Sequence, residues 1–511
     1  MFKDRLYIFL PYTFFFISSF LLVIDAGIDR HWSSVSDQDL ILVYNSLALR
    51  SDLYNDYVDH PGYSTILLIS LWWDFLNLIG VSNVGNIYEL ATIPDLKTQF
   101  QNLFVYARLM NIFLIFFLVT AIFKIIHHIT KNRIGSCILT LAFIFSFTII
   151  EIAGMLRTEV LSVICLFLFF YFLIKFCEDT SKFRFYLMLL GSVFILGVFA
   201  KMQFLIVIVF FPIIFFYFFK PQNKIRLNLF FYENKKIILF SNIIFFLLIG
   251  LIWQRYAVGM LNKLFIPFIL IYFFIICFVF KYHFLISFRS LNAYLAYFFG
   301  GQGLTMIFFY FYKKFSMLNI IVLVNMPGWI SRFQNEVPIN AFDFTLSNCI
   351  DLFKSHSVNL LEFLKLYFFN PFTFEFILLL VYLFVLLKIL FISKFNINTL
   401  IKYSIYLFAF IIVSIIFSIR TQPFYLLYVV PLLLIGLSVT VNFDKYFKIK
   451  KNFIFISILM LFFSLINFNE RKSYDYENWN WACRSPKFIQ QVWLPKMDLN
   501  LFKKICDFGV Y

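Results

Sequence analysis

The sequence predicts an all-α polytopic membrane protein of about 13 transmembrane helices, with juxtamembrane helices in a long first outer loop. Three observations predict it. Apolar runs of spanning length recur along the whole 511-residue chain, which is 62% hydrophobic and only 14% charged; soluble domains run near half apolar and a quarter charged. No stretch between the runs is large enough for a separate soluble domain of ordinary size. The basic residues gather in alternate short loops, as in proteins oriented by the positive-inside rule.

The first run, near 7–25, follows Met1-Phe2-Lys3-Asp4-Arg5 and reads as a retained signal anchor, because Asp25-Ala26-Gly27 is a poor cleavage site. Twelve further spans are expected near 103–123, 136–154, 160–176, 185–200, 203–219, 237–253, 264–280, 292–311, 373–393, 403–418, 424–442 and 453–467. Segment 62–79 is also apolar and barely long enough to cross. Loop charge argues against a crossing. With 62–79 on the surface, the loops at 124–135, 175–184, 220–236, 281–289, 394–402 and 444–451 face the cytoplasm with nineteen Lys or Arg. The outer turns then carry five: Arg157, Lys201, Arg255, Lys263 and Arg420. A crossing would reverse this asymmetry. The segment's pattern agrees: Ser70, Asp74 and Asn77 share one helical face, and Trp72 and Trp73 suit an interface. The expectation is a juxtamembrane helix along the outer surface, with a re-entrant hairpin as the alternative. The outside then holds a first loop, 26–102, a loop near 312–372 with a second surface helix at 358–370, and a tail, 468–511. Residues 1–467 form the membrane domain.

The formal net charge of +16 is taken up by these orienting loops, so no nucleic-acid partner is expected. The seven Cys form no metal-type spacing; Cys137, Cys165, Cys177 and Cys277 fall in or beside spans and read as packing residues. Cys483 and Cys506 lie in the tail and can form a disulfide if it faces an oxidising compartment.

Charged groups at membrane depth are costly and often mark a functional path. Here an unusual set falls on the outer side. Asp37 and Asp39 follow the first span, Asp59-His60 precedes the surface helix, Arg157 and Glu159 occupy one tight outer turn, and Lys201 and Arg420 occupy two more. Each has a plainer reading. Asp37 and Asp39 can be solvated loop residues, Arg157 and Glu159 a mutual ion pair, and Lys201 a snorkelling side chain. His60 can cap the surface helix, and Tyr425 and Tyr428 can belong to an aromatic belt. Agreement in side favours a shared site.

These motifs resemble the GT-C fold glycosyltransferases, closest to the protein O-mannosyltransferase and aminoarabinose transferase branch. Asp37-Gln38, with Asp39 a further candidate, matches the Asp-Glu motif of the first loop; Asp59-His60-Pro61-Gly62-Tyr63 matches the His-Pro-Pro segment. Arg157-Thr158-Glu159 matches the Arg-x-Asp motif, Ala200-Lys201 the small-residue–Lys turn, and Arg420 through Pro431 the late Arg/Tyr-rich segment. Gln38, Gly62 and Glu159 depart from the pattern. The resemblance implies sugar transfer from a polyprenyl-phosphate donor to an acceptor hydroxyl of a glycan, lipid or protein at the outer face of a bacterial inner membrane. Transfer needs a base near the nucleophile and positive charge near the departing phosphate. Asp37 is the expected base, with Asp39 its substitute. Arg420, Lys201 and Arg157 would neutralise the phosphate, joined by His60, and Asp37, Glu159 and His60 are the ligands of an optional divalent cation. Direct displacement would invert the anomeric centre. The rivals are a lipid-linked sugar flippase, a polysaccharide polymerase or ligase, and an inactive assembly subunit.

Overall fold

The computed structural model describes residues 2–34, 37–53, 62–82, 84–92, 94–179, 182–201, 204, 288–312, 358–369, 373–392, 406–407, 410–411, 414, 425–443, 449–471, 483 and 486–506. The fold is about 85% helical and has no strand among them. The long apolar runs dictate this, since a helix satisfies every backbone polar group within its own segment.

The chain divides into two compact units. The first comprises Met1–Tyr57, Gly62–Phe167 and His356–Tyr511. It opens with α1 (Phe2–Asp25), which presents Phe14, Ile17, Leu21 and Ile24 outward and buries Phe15, Leu22 and Val23. Gly27, at φ +88°, turns the chain out of this helix in the left-handed region that favours glycine. The first loop then supplies α2 (Asp37–Arg50) and α3 (Tyr63–Leu78). The pair packs side by side, with Trp73 Nε1 donating to Ser46 Oγ at 2.9 Å and an ion pair joining Arg50 to Asp74. The predicted segment 62–79 is therefore a helix, but its expected polar face needs correcting. Ser70 is buried and only Asp74 is exposed, because that side of α3 turns toward α2 and its Arg50.

α4 (Leu96–Arg108) begins at Asp95, whose carboxylate accepts from Thr98 N, and leads into α5 (Met110–Thr130). Together they make an apolar helical run of 35 residues, longer than the expected span at 103–123. The predicted span at 136–154 is broken. α6 (Arg133–Ile144) and α7 (Phe147–Ala153) meet at a bend of 53°. At the break the backbone of Ser146 is extended, and its hydroxyl bonds back to the Phe143 carbonyl at 2.7 Å. α8 (Thr158–Glu178) runs from the first unit into the second.

The second unit holds Val58–Pro61 and Leu168–Ser355. There α9 (Phe183–Ala200) packs on α10 (Phe288–Tyr312) through small residues, Ser192 Oγ donating to Gly301 O at 3.0 Å. The first unit resumes with a helical stretch at 358–367, where the second surface helix was expected. It continues through α11 (Phe374–Ile392), α12 (Leu426–Phe443) and α13 (Ile449–Arg471). It closes with α14 (Pro486–Trp493) and α15 (Leu499–Cys506).

Three described helices are long and apolar enough to cross a membrane, or four with α6 and α7 as one broken span. Shorter apolar helices lie at Phe9–Asp25, Leu295–Phe311, Phe374–Leu387, Leu426–Thr440 and Phe453–Ile466. The expected spans near 237–253 and 264–280, and most of 203–219 and 403–418, lie outside the described residues.

The tail folds into the first unit. α14 and α15 form a hairpin joined by the Cys483–Cys506 disulfide. It docks on the first loop, with Lys496 N donating to Tyr44 Oη at 2.7 Å and Phe502 against Trp32. Cys165 is buried, as a packing residue should be.

Candidate active site

Local structure brings the first loop onto the turn between α7 and α8. The close approach is set by Gly154, where a Cβ atom would lie 2.5 Å from the Ala26 carbonyl oxygen. Only glycine lets the end of α1 sit this near the turn. At the other edge Gly62, just ahead of α3, comes against Thr158 at the start of α8.

Between these contacts lie four charged side chains, all nearly or fully buried. Asp39, on the first turn of α2, is fully buried. Its Oδ2 accepts from Arg108 Nε at 2.8 Å, with Arg108 Nη2 also 2.8 Å away. Its Oδ1 accepts from the Leu156 backbone amide. Arg108 closes the first loop, its Nη1 donating to the carbonyls of Ile28 at 3.1 Å and Arg30 at 2.5 Å. Arg157 Nη2 lies 3.3 Å from Glu159 Oε1, and Thr158 Oγ1 donates to Glu159 Oε2 at 3.3 Å. Burial pushes the Asp39 carboxyl above its usual range, against the pull of Arg108, the Leu156 amide and the Arg157 charge. Two acids and two guanidinium groups thus balance in one dry junction, the condition under which buried charge is tolerated.

The junction gathers three predicted site residues, Asp39, Arg157 and Glu159, and fixes what each one touches. The Asp39 carboxylate holds Arg108 and the Leu156 amide. The Glu159 carboxylate is held by Arg157 and Thr158, so the expected ion pair is present. Asp37 begins α2 two residues before Asp39, but its side chain lies outside the described residues, as do His60 and Arg420. Lys201 is buried at the end of α9 in the second unit. Among the described residues no group of three His, Cys, Asp or Glu could hold a metal ion, and two of the three expected ligands fall outside them.

Two further groups escaped sequence reasoning. Arg108 sits in the apolar run Leu103-Phe104-Val105-Tyr106-Ala107-Arg108-Leu109-Met110, where one guanidinium among apolar residues was the available signal. Tyr428 belongs with the junction and not with an aromatic belt. It is buried near the start of α12, its hydroxyl beside Ser162 and within electrostatic reach of Glu159, and Tyr425 is buried too. Both tyrosines turn inward because α12 packs against α5 and α7.

His31, in the short turn before the junction, feels the same charges. Burial and then the Arg108 cation hold its imidazole below the usual range. Its Nδ1 lies 2.7 Å from Ser33 Oγ and accepts from Ser33 N at 3.3 Å.

The arrangement is a rigid polar anchor. It fixes the first turn of α2 against the α7–α8 turn at the end of a bundle of apolar helices. Comparison of the chain with family models, with curated proteins and with solved structures finds no match.

Proposed function

We propose that the protein is an integral membrane glycosyltransferase of the GT-C type, moving a sugar from a polyprenyl-phosphate donor to an acceptor hydroxyl at the outer face of a bacterial inner membrane. The observation that carries the reading is the buried junction of Asp39, Arg108, Arg157 and Glu159. It joins the first-loop acidic motif to the Arg-x-acid turn, the two motifs on which the resemblance mainly rests. Holding α2 this way gives Asp37 a fixed base from which to accept the proton of the attacking hydroxyl. Arg420, Lys201, Arg157 and His60 are the proposed partners of the departing phosphate, Arg supplying a bidentate fork. A divalent cation on Asp37, Glu159 and His60 is an optional addition, since hard ions favour carboxylate oxygens.

Sidedness supports the same reading. The hydrogen bond from Lys496 N to Tyr44 Oη requires the first loop and the tail to share one side of the membrane. Thirteen spans, twelve of them between these segments, satisfy that parity. The Cys483–Cys506 bond suits an oxidising compartment, which supports taking the shared side as the outer one.

The test is transfer in vitro from a panel of polyprenyl-phosphate sugars, comparing wild type with Asp37→Asn. Wild type should transfer from one donor, and the variant should fold normally and transfer nothing. Full activity in Asp37→Asn removes that residue from the mechanism, and no transfer from any donor removes the enzyme reading. A second reading, a flippase for a lipid-linked sugar, draws on the broken α6–α7 helix with buried Glu375 beside it. Broken helices of this kind line the substrate sites of many transporters. Donor translocation in proteoliposomes without an acceptor would favour it.

A further inference from the structure

The short helix α7 is held at both ends by side chains from other helices. At its start Ser146 is the N-cap residue but makes no side-chain cap, because its hydroxyl is turned back to Phe143 O. The missing partner comes from α11. Glu375 Oε1 accepts from Thr148 N at 2.9 Å and from Thr148 Oγ1 at 2.7 Å, and Glu375 is only 1% exposed. A carboxylate at a helix N-terminus is favourable both as an acceptor for orphan N–H groups and against the helix dipole. At the far end Asn111, on α5, is likewise 1% exposed. Its Nδ2 points at three carbonyl oxygens, those of Ile152 at 3.5 Å, Ala153 at 3.2 Å and Met155 at 2.7 Å. Seven residues of helix cannot hold a position by their own hydrogen bonds; these two side chains supply the constraint.

What α7 carries is the α7–α8 turn, with the Leu156 amide that Asp39 accepts from and the Arg157–Glu159 pair. We propose that Glu375 and Asn111 are positioning residues, which fix α7 at both ends and through it set the register of the α7–α8 turn against α2. Neither belongs to the charged junction. Glu375 acts through Thr148 and α7, Asn111 through the carbonyls ahead of Leu156. The kinetic half of this inference rests on the glycosyl-transfer reading; the structural half does not.

Hydrogen–deuterium exchange on the full-length protein in detergent separates the two halves, with Glu375→Ala, Glu375→Gln and Asn111→Ala set against wild type. Glu375→Ala should raise exchange across 148–156 by about tenfold or more, and Asn111→Ala should do the same at the turn end. Glu375→Gln keeps an oxygen for both Thr148 donors and should stay near wild type. In the transfer assay Glu375→Ala should lower kcat by up to about a hundredfold, the scale of a 1 Å misplacement. The donor KM should stay within about twofold, and Glu375→Gln should restore most of the rate. If Glu375→Ala does not fold, Asn111→Ala and Glu375→Gln carry the comparison. Unchanged exchange in the alanine variants overturns the clamp. Raised exchange with unchanged kcat overturns the positioning role. Absence of transfer in wild type defeats the glycosyl-transfer reading and leaves exchange to judge the clamp.

Discussion

Replacing Arg108 by Met should leave the Asp39 carboxylate stranded inside the first unit. In the native protein that carboxylate meets Arg108 at 2.8 Å through two nitrogens, and both side chains are 0% exposed. After the substitution only the Leu156 amide remains to it among these partners. Removing one partner of a buried pair costs about 3–5 kcal/mol. The Ile28 carbonyl also loses its Arg108 donor, for roughly 1 kcal/mol, while the Arg30 carbonyl keeps Gln101 Nε2 at 3.0 Å. A loss of about 5 kcal/mol is a large fraction of the 5–15 kcal/mol that holds a typical domain folded. Melting followed through the eight tryptophans should shift down by roughly 10 °C. The shift should depend on pH in a definite direction. Without the guanidinium, burial is opposed only by the Leu156 amide and the Arg157 charge, and the Asp39 carboxyl is lifted further. A carboxyl raised in the fold keeps its stability below its unfolded value of about 4 and loses it as pH rises through the folded value. Arg108→Met should therefore lose more stability between pH 5 and pH 8 than wild type does. The double variant Asp39→Leu, Arg108→Met removes both charges and should recover more than half of the loss. A single variant as stable as wild type, or a double variant no better than the single, refutes the argument.

The first loop and the hairpin docked on it give two further expected outcomes. Replacing Cys483 and Cys506 by Ser opens a link of sequence separation 23, which should destabilise the hairpin by about 3 kcal/mol; exchange over 486–506 should rise sharply, and no rise would contradict the docking of Phe502 on Trp32. His31 is held below its usual range, so it contributes stability above its unfolded value of about 6.5 that is lost as pH falls through the folded value. Protection around 28–34, taken relative to the intrinsic exchange rate at each pH, should fall between pH 7 and pH 5 in wild type and respond less in His31→Gln; an equal response in both would rule the imidazole out.

Much of the first loop was legible in the sequence. α3 spans Tyr63–Leu78 where 62–79 was expected, because Pro61-Gly62 and Gly80 punctuate a single apolar run. The junction was legible in part, since counting charge by loop put Asp39, Arg157 and Glu159 on one side. Its keystone was not. Arg108 lies in a run that reads as the start of a span, and pattern alone does not say that a guanidinium there will find Asp39, 69 residues away in sequence. The bend at Ser146 was hidden for a related reason. A serine that bonds back to an earlier carbonyl is common within straight helices too, and the acceptor at the start of α7 is Glu375, 227 residues from Thr148. Ser70 and Tyr428 were misread because both have polar atoms that a two-sided pattern assigns to water or headgroups. Tertiary partners, Ser162 and Glu159 for the tyrosine and the packed α2 for the serine, turn them inward.

Sidedness of two positions probes the account most directly, because a catalytic acid and a phosphate-binding cation on opposite faces cannot serve one reaction. Cysteines introduced at 37 and 420, in a chain whose other cysteines outside the disulfide are replaced, would be labelled in intact cells by a maleimide that does not cross the membrane. Labelling of both from outside is the predicted result. Protection of either one until the membrane is permeabilised, with the other labelled freely, would contradict it.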